Sequence, residues 1–172
     1  MKTIKIVRQH LAFVSLFLLV SCSTSEEKII DAGQPIHHDD FEYVIENFSV
    51  QKKIDGNKDT LTAHGNYYVV SFKVVNNAKR VSHPWKNSIA FLIDEAGNKY
   101  ENITEAQIAL NSSTPFGYKD EYLTSSQSEE TTVLVFDIPE SVKKPYLMVR
   151  GEMLMGDFFD GNQFSNTKVK LF

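Results

Sequence analysis

The sequence has only one cysteine, Cys22, so no disulfide can form within the chain and no second thiol is available for redox chemistry. It also lacks an apolar run long enough to cross a membrane, because residues 11–20 fall short of the hydrocarbon thickness of about 30 Å. No nucleophile elbow, glycine-rich phosphate loop or His-Glu-x-x-His motif occurs, and Ser and His are too scattered to indicate a triad. We therefore predict that the protein is not an enzyme and carries no cofactor.

The sequence also has no excess of basic residues over acidic ones. The formal charge is −4 for the whole chain and about −7 without residues 1–21, because that segment holds basic but no acidic residues. Nucleic-acid binding requires basic patches, so we exclude nucleic acid as a partner. The remaining length of about 150 residues suits one domain with its own core.

The N-terminus has the features of a secretory signal. Three basic residues within the first eight positions precede the apolar run 11–20, which ends in Leu-Val-Ser-Cys at 19–22. This ending resembles the lipobox of bacterial lipoproteins, which implies that residues 1–21 are a signal peptide and that Cys22 carries acyl chains such as palmitate. Two or more chains would anchor the protein in the membrane, since each buried methylene contributes about 0.8 kcal/mol.

The resemblance also predicts where the protein resides. Ser23 stands where an aspartate would favour retention in the inner membrane, which by resemblance to Gram-negative lipoproteins implies the outer membrane of the cell envelope. Residues 22–40 are polar and predict a flexible tether, so we expect the folded domain to cover 41–172. The alternative is a cytoplasmic protein with an apolar N-terminus.

Short apolar segments separated by turn signals predict an all-β domain. Apolar alternation over 41–45 changes parity near Glu46-Asn47 and predicts a bulge there, while the strongest strand is expected at 67–75. Seven to eight strands, with one or two helical turns at 105–110, predict a β-sandwich or small barrel. The side chains expected to fill the core are Tyr68, Phe72, Leu92, Leu134 and Phe136.

Three segments, 67–77, 91–100 and 132–139, resemble the telokin-like extracellular domains of bacterial lipoproteins. Their shared pattern is a strand ending in Asn, an Asp-x-x-Gly-x-x-Tyr hairpin and a Val-Phe-Asp-x-Pro strand. The resemblance covers about 41–149 and implies an immunoglobulin-like antiparallel β-sandwich in a family whose members mostly have no assigned activity. The 102–128 insert and the tail after Gly151 depart from the pattern, so we expect any specialised function there.

Aromatic residues supply the candidate binding surface. Trp85 follows His83-Pro84, and Phe116 and Tyr118 lie in the insert, so an exposed aromatic surface for a protein or glycan partner is one interpretation. The alternative is that Trp85 packs against the edge of the sandwich. Thr60, within Asp59-Thr60-Leu61, resembles the O-glycosylation acceptor of Bacteroidota envelope proteins.

Metal-binding candidates are weak, and we expect no metal. A cluster at 37–40 includes His37, His38 and Asp39, but neighbours in a tether cannot all converge on one ion. Asp157 and Asp160 lie near a glycine without the ligand spacing of a calcium loop.

These patterns leave alternative functions open. The first is a lipid-anchored envelope module that binds a protein or glycan without catalysis. The second is a periplasmic carrier of a small ligand or metal ion, using a pocket near the 102–128 insert. An enzyme on an immunoglobulin-like scaffold is a third, and it would require a cleft with perturbed acidic groups.

Overall fold

The computed structural model describes residues 28–38, 40–56, 59–80, 82–110, 115–119, 121–123, 128–150 and 166–172. Within these ranges the chain forms eleven strands, a helix α1 at Thr104–Leu110 and a 3₁₀ turn at Asn87–Ile89. No helix in this part of the chain combines the length and apolar character needed to cross a membrane. The strands are β1 (Lys28–Asp31), β2 (Ile36–His38), β3 (Phe41–Asp55), β4 (Thr60–Asn76), β5 (His83–Trp85), β6 (Ala90–Ile93), β7 (Lys99–Tyr100), β8 (Glu121–Leu123), β9 (Ser128–Ile138), β10 (Tyr146–Arg150) and β11 (Asn166–Lys170).

The strands form two main sheets and a small ribbon. The first sheet has the order β1-β11-β10-β6-β7, the second has the order β2-β3-β4-β9, and β5 pairs with β8. Strand β1 runs parallel to β11, and the other pairs are antiparallel. The prediction of an all-β sandwich is therefore confirmed. The strand number is higher than the seven to eight expected, because β1, β2, β5 and β8 are too short to show an alternating apolar pattern.

The core lies between the two main sheets. From the second sheet, Tyr68, Phe72, Leu134 and Phe136 are buried, and Leu92 is buried from the first. All five predicted core residues are confirmed. Burial of each side chain contributes about 1.5–3 kcal/mol, so a core of this kind can stabilise the domain without a disulfide.

The predicted bulge in β3 is also present. The pairing of β3 with β4 shifts register between Ile45 and Asn47. A one-residue slip moves following side chains to the opposite face. Ile45 and Phe48 can therefore both contact the core although they differ in parity.

The β6–β7 hairpin gives a physical reason for the Asp-x-x-Gly-x-x-Tyr pattern. Asp94 accepts hydrogen bonds from the Asn98 N–H at 2.8 Å and from the Tyr100 hydroxyl at 2.9 Å. Gly97 has a φ of +87°, which glycine adopts without steric cost. Hydrogen bonds led by that from the Asn98 side chain keep the pKa of Asp94 below its ordinary value.

The predicted tether over 22–40 is wrong for its second half. Strands β1 and β2 lie within it, and Ile30 and Ile36 are buried in the core. Ile30 aligns with Val169 on β11, and Ile36 aligns with Tyr43 on β3. Each strand supplies only one buried isoleucine in a short, mostly polar segment, so composition alone indicated a linker. The folded domain thus includes residues from Lys28 onward, before the predicted start at residue 41.

Helix α1 covers the outer face of the second sheet. Ala106 packs in a second apolar cluster with Ile54, Tyr67 and Val135. This docking positions the start of the 102–128 insert, where the predicted one or two helical turns are confirmed.

Candidate functional site

A cavity of about 190 Å³ lies where the 102–128 insert meets β6 and β7. At about 30 Å³ per molecule, it has the volume of about six waters, so it suits a small molecule. Ala90 and Phe91 contribute its apolar part, and Gly117 and Tyr118 also line it. Its polar lining includes Lys86, Asn87, Lys99, Glu101, Asn102 and Thr104.

One side of the cavity is fixed by the close approach of Gly117 to segment 85–87. Gly117 has a φ of +78°, and a Cβ at this position would overlap Asn87 Oδ1 and the Trp85 ring. The Asn87 N–H donates to the Gly117 carbonyl at 3.0 Å, while the Gly117 N–H donates to the Glu121 carboxylate at 2.7 Å. Only glycine combines this conformation with this contact, so residue 117 holds the insert against Asn87.

Asn87 lines the cavity, but in the described part of the chain its amide atoms are shielded from solvent and unpaired. The residue is 5% exposed, and neither Nδ2 nor Oδ1 has a hydrogen-bond partner among the described residues. Leaving a buried polar group unpaired costs about 1–3 kcal/mol, and native proteins retain few such groups.

Charged side chains surround the apolar part of the cavity. Lys99 Nζ lies 2.5 Å from Glu101 Oε1 and 4.7 Å from the centre of the Phe91 ring. Arg150 Cζ lies 4.6 Å from the same ring. The hydrogen bond from Lys99 and then its charge lower the pKa of Glu101, with a smaller contribution from Arg150. Glu101 is therefore ionised at neutral pH, and cations dominate around Phe91.

The wall next to α1 is held by an amide network. Asn102 Oδ1 accepts a hydrogen bond from the Val135 N–H at 2.8 Å, and its Nδ2 donates to Gln107 Oε1 at 2.9 Å. The Gln107 Nε2 group donates in turn to Thr132 Oγ1 at 3.2 Å. Both polar atoms of the Asn102 amide are thus used within the fold.

The predicted aromatic surface is only partly exposed. Trp85 is fully buried, stacked between Phe72 at 6.0 Å and Phe116 at 5.6 Å. The alternative, a Trp packed against the sandwich, therefore holds, and Trp85 cannot present its ring to a partner. Phe116 is half-buried, and Tyr118 is 40% exposed at the cavity. A binding role for Phe116 and Tyr118 stays a prediction.

Metal candidates do not form a site in the part of the chain that the structure describes. No group of three His, Cys, Asp or Glu side chains there could hold a metal ion. His37 Nδ1 lies 3.4 Å from Glu42 Oε2, and the His37 side chain is 64% exposed. The side chain of His38 lies outside the described atoms, as do all of Asp39, Asp157 and Asp160.

Thr60 and Cys22 are the two predicted modification sites. Thr60 begins β4 at an exposed position, and its hydroxyl donates to Asp55 Oδ1 at 2.8 Å. Its glycosylation stays a prediction. Cys22 and the signal peptide at 1–21 lie outside the described residues, so lipidation also stays a prediction.

Sequence reasoning missed most of the residues that line the cavity, above all Asn87 and Lys99. One local feature of the sequence could have drawn attention to Asn87. Polar Lys86 and Asn87 stand between the buried Trp85 and the apolar run at 89–93. The contacts of Asn87 with Gly117, however, join positions about 30 residues apart in the sequence, and no local pattern predicts them.

The fold belongs to the β-sandwich class. No family model matches the chain, and no curated protein matches it. Similar solved structures include an uncharacterized β-sandwich protein from Clostridium difficile 630, with 13% identity and a TM-score of 0.54 over 87% of this chain and 97% of that one. The secreted protein MPT63 from Mycobacterium tuberculosis has 12% identity and a TM-score of 0.53, covering 86% and 99% of the two chains.

A conserved hypothetical protein from Bacillus anthracis has 16% identity and a TM-score of 0.54, over 68% of this chain and 87% of that one. At these identities the similarities show the fold alone. They place the chain in the β-sandwich structural class and assign no activity to it.

Proposed function

We propose that this protein is a non-catalytic binding protein of the bacterial cell envelope that takes a small polar ligand into the cavity beside Asn87. The observation that carries the proposal is the cavity of about 190 Å³, which has apolar, polar and charged side chains in its lining and adjoins the buried Asn87. The cavity is bounded by Asn102, Thr104, Gly117 and Tyr118, all from the insert that departs from the telokin-like pattern. The position of the cavity at this insert favours the small-ligand alternative over the aromatic partner surface.

The physical support is the lining of the cavity. Apolar Ala90 and Phe91 lie beside polar and charged side chains, among them Lys99 and Thr104. An apolar surface with a few polar groups is typical of small-ligand sites.

Attachment to the envelope rests on the N-terminal pattern. The basic start, the apolar run 11–20 and the tetrapeptide ending at Cys22 support lipidation and removal of residues 1–21. A lipid anchor at the outer membrane would hold the binding domain outside the cytoplasm. The telokin-like lipoprotein family is the finer relationship that we propose for this β-sandwich.

A thermal-shift assay on the purified full-length protein tests the function. The probes are neutral sugars, sugar acids, amino acids and inorganic phosphate, and at least one of them should raise the Tm saturably. Ser88 is exposed and lines the cavity, so Ser88→Trp should block it and abolish the shift. Ser49→Trp is the matched control, because Ser49 is exposed on β3 and is not part of the cavity lining.

The outcomes separate binding from non-specific stabilisation. Saturable shifts in the wild type and in Ser49→Trp, but not in Ser88→Trp, support the proposal. Equal shifts in all three proteins contradict it, because the ligand would then bind elsewhere. A wild type that responds to none of the probes also contradicts it.

A macromolecular partner is the second candidate function. Three exposed large apolar side chains, Ile108, Leu110 and Tyr118, lie in the same insert. Exposed large apolar side chains are typical of protein contacts when they lie close together. Cross-linking in intact cells should then recover one defined envelope protein, and the recovery should be lost in Ile108→Lys but kept in Val50→Lys, an exposed residue of β3.

A further inference from the structure

We propose that the outer face of the first sheet, at the end where β1 begins, contacts the phospholipid headgroups of the membrane to which Cys22 anchors the chain. This inference rests on the proposed lipidation of Cys22 and goes beyond the proposed function, because it assigns a second interaction surface and an orientation of the domain. It follows from the reach of the anchor, the alignment of the strands and the side chains of this face.

The reach of the anchor limits which side of the domain can touch the membrane. Lys28, the first residue of β1, lies six positions after Cys22, and a chain of six residues spans at most about 21 Å. A domain formed by residues 28–172 has a radius of gyration of about 15 Å and is therefore about 40 Å across. The anchor reaches about half of this width, so the side of the domain opposite Lys28 cannot lie on the membrane.

The alignment of the strands places the candidate cavity at the same end of the first sheet. Lys28 of β1 aligns with Thr167 of β11. Val149 of β10 aligns with Thr167 on one side and with Ala90 of β6 on the other. Neighbouring strands lie about 4.8 Å apart, so Ala90, which lines the cavity, is about 14 Å from Lys28 across the sheet. The proposed contact therefore also brings the cavity close to the membrane surface.

Alternation along the strands identifies the side chains of the outer face. Ile30 and Leu92 belong to the core between the two sheets. Ile29 and Phe91 alternate with them and therefore lie on the outer face. Arg150 lies on this face as well, with its Cζ 4.6 Å from the centre of the Phe91 ring. The face nearest the anchor thus combines apolar and basic side chains.

Ile29 supplies the apolar part of the contact. Its side chain is 50% exposed, whereas that of Ile30 is 8% exposed in the core. Binding to a membrane surface increases with the apolar area that is buried and with the attraction between cations and anionic lipids. An exposed isoleucine on the strand that follows the anchor is therefore well placed to enter the headgroup layer.

Lys28 and Arg150 supply the basic part of the contact, and both are exposed at the anchor end of the sheet. The described carboxylates of the outer face are Asp31 and Glu101, and each lies within 4.0 Å of the Nζ of another lysine. They therefore offset those lysines first and leave Lys28 and Arg150 for the lipid phosphates. Each cation beside an anionic headgroup layer adds attraction over about one Debye length.

Labelling of the lipidated full-length protein tests the inference. Acylation blocks the thiol of Cys22, the only cysteine, so an introduced cysteine is the one site that takes a thiol-reactive fluorophore. Protein purified from membranes is reconstituted into vesicles of phosphatidylethanolamine and phosphatidylglycerol, in which some lipids carry a nitroxide quencher on the headgroup. The fluorophore is placed at Ile29→Cys and, in a second protein, at Val50→Cys.

Val50 is the matched control because it is an exposed apolar residue far from the anchor. It is 44% exposed on β3 of the second sheet. Two positions before it, the ring of Phe48 lies 5.0 Å from that of Phe172, which follows the opposite end of β11. The label at residue 29 should lose most of its fluorescence, and the label at residue 50 should keep it. Lys28→Cys gives the same test if Ile29→Cys does not fold.

Charge variants measure the basic part of the contact. In the Ile29→Cys protein, Arg150→Gln should lower the ratio of quenched to unquenched label by about fivefold, the contribution of one cation beside an anionic lipid surface. Lys53→Gln is the matched control, because Lys53 is exposed on β3 in the second sheet, and it should leave the ratio unchanged.

The results separate the inference from the lipid anchor beneath it. Quenching at residue 29 but not at residue 50, reduced by Arg150→Gln, supports the inference. Equal quenching at the two positions, whether strong or absent, overturns the orientation but leaves the lipoprotein, provided that the wild type takes up no fluorophore. Quenching at residue 29 that Arg150→Gln leaves unchanged overturns the basic contact. A wild type that takes up the fluorophore has a free Cys22 thiol and overturns both.

Discussion

Asp137 and Gly65 lock the junction between β4 and β9, because Asp137 Oδ1 accepts a hydrogen bond of 2.9 Å from the Gly65 N–H. Asp137 Oδ2 also accepts the His64 N–H at 2.8 Å, just beyond the first aligned pair of the two strands. A Cβ at residue 65 would overlap the Ile138 carbonyl. The Asp of the Val-Phe-Asp-x-Pro pattern is thus a structural residue.

Asp137→Asn should lower the free energy of unfolding by about 1–3 kcal/mol at neutral pH, since the amide NH₂ group would face a backbone donor. Urea unfolding followed by circular dichroism measures the change. Glu130→Gln is the control, because Glu130 is an exposed acid on the same strand, and it should stay within about 0.5 kcal/mol of the wild type. Equal stability of Asp137→Asn and the wild type would contradict the assigned role.

The contact between Asp137 and Gly65 also predicts that the stability of the domain depends on pH. Burial opposes the charge of Asp137, but the Gly65 and His64 N–H groups and the His64 ring outweigh it, so the pKa of Asp137 lies below its ordinary value. Its stabilisation is complete above the unfolded pKa of about 3.9 and is lost as pH falls through the folded pKa. The stability difference between wild type and Asp137→Asn should therefore shrink in acid.

Phe72→Ala should lower the free energy of unfolding by about 3–5 kcal/mol and largely unfold the domain. Phe72 is fully buried and packs on the rings of Tyr43 at 5.5 Å and Trp85 at 6.0 Å, so a cavity would remain at the centre of the core. Val75 lies on the opposite, half-buried face of β4, so Val75→Ala should lower the free energy of unfolding clearly less than Phe72→Ala does. A thermal midpoint unchanged by Phe72→Ala would show that this face does not form the core.

Asn87→Leu should raise the Tm of the ligand-free protein, because it replaces an unpaired buried amide by an apolar side chain of similar size. The expected gain in the free energy of unfolding is about 1–3 kcal/mol. A loss of stability would instead mean that the amide is already satisfied in the free protein. Differential scanning calorimetry of the two full-length proteins measures this difference.

Cys22→Ser should release the protein from the membrane, since the only cysteine is the predicted site of acylation. Fractionation of cells that express the wild type and the variant measures the distribution between membrane and soluble fractions. Mass spectrometry of the membrane fraction should find a wild-type chain beginning at an acylated Cys22. A mature chain that retains an unmodified Met1 would refute the lipoprotein prediction.

The fold was largely predictable because its main signals are local. Alternation along β4 identified the face of Tyr68 and Phe72, and the parity change near Glu46 identified the bulge. Strands β1 and β2 were missed, since their pairing with β11 and β3 joins polar segments through single isoleucines. Long-range pairing of this kind leaves little pattern in a short segment.

The candidate site was predictable only in its location. The insert at 102–128 departed from the family pattern, and it does contribute to the cavity. Asn87 and Lys99 lie outside the insert, and both line the cavity that Gly117 helps to form beside Trp85. The burial of Trp85, which removed it from the predicted surface, likewise depends on Phe72 and Phe116.

The most direct measurement is nuclear magnetic resonance of the Asn87 side-chain amide in isotope-labelled full-length protein. At least one of the neutral sugars, sugar acids, amino acids or inorganic phosphate should shift both Nδ2 proton signals saturably, while the side-chain signals of Asn102, held by Gln107, should move less. Asn87 signals that stay unchanged with sugar acids, neutral sugars, amino acids and phosphate alike would contradict the claim that this cavity is a ligand site.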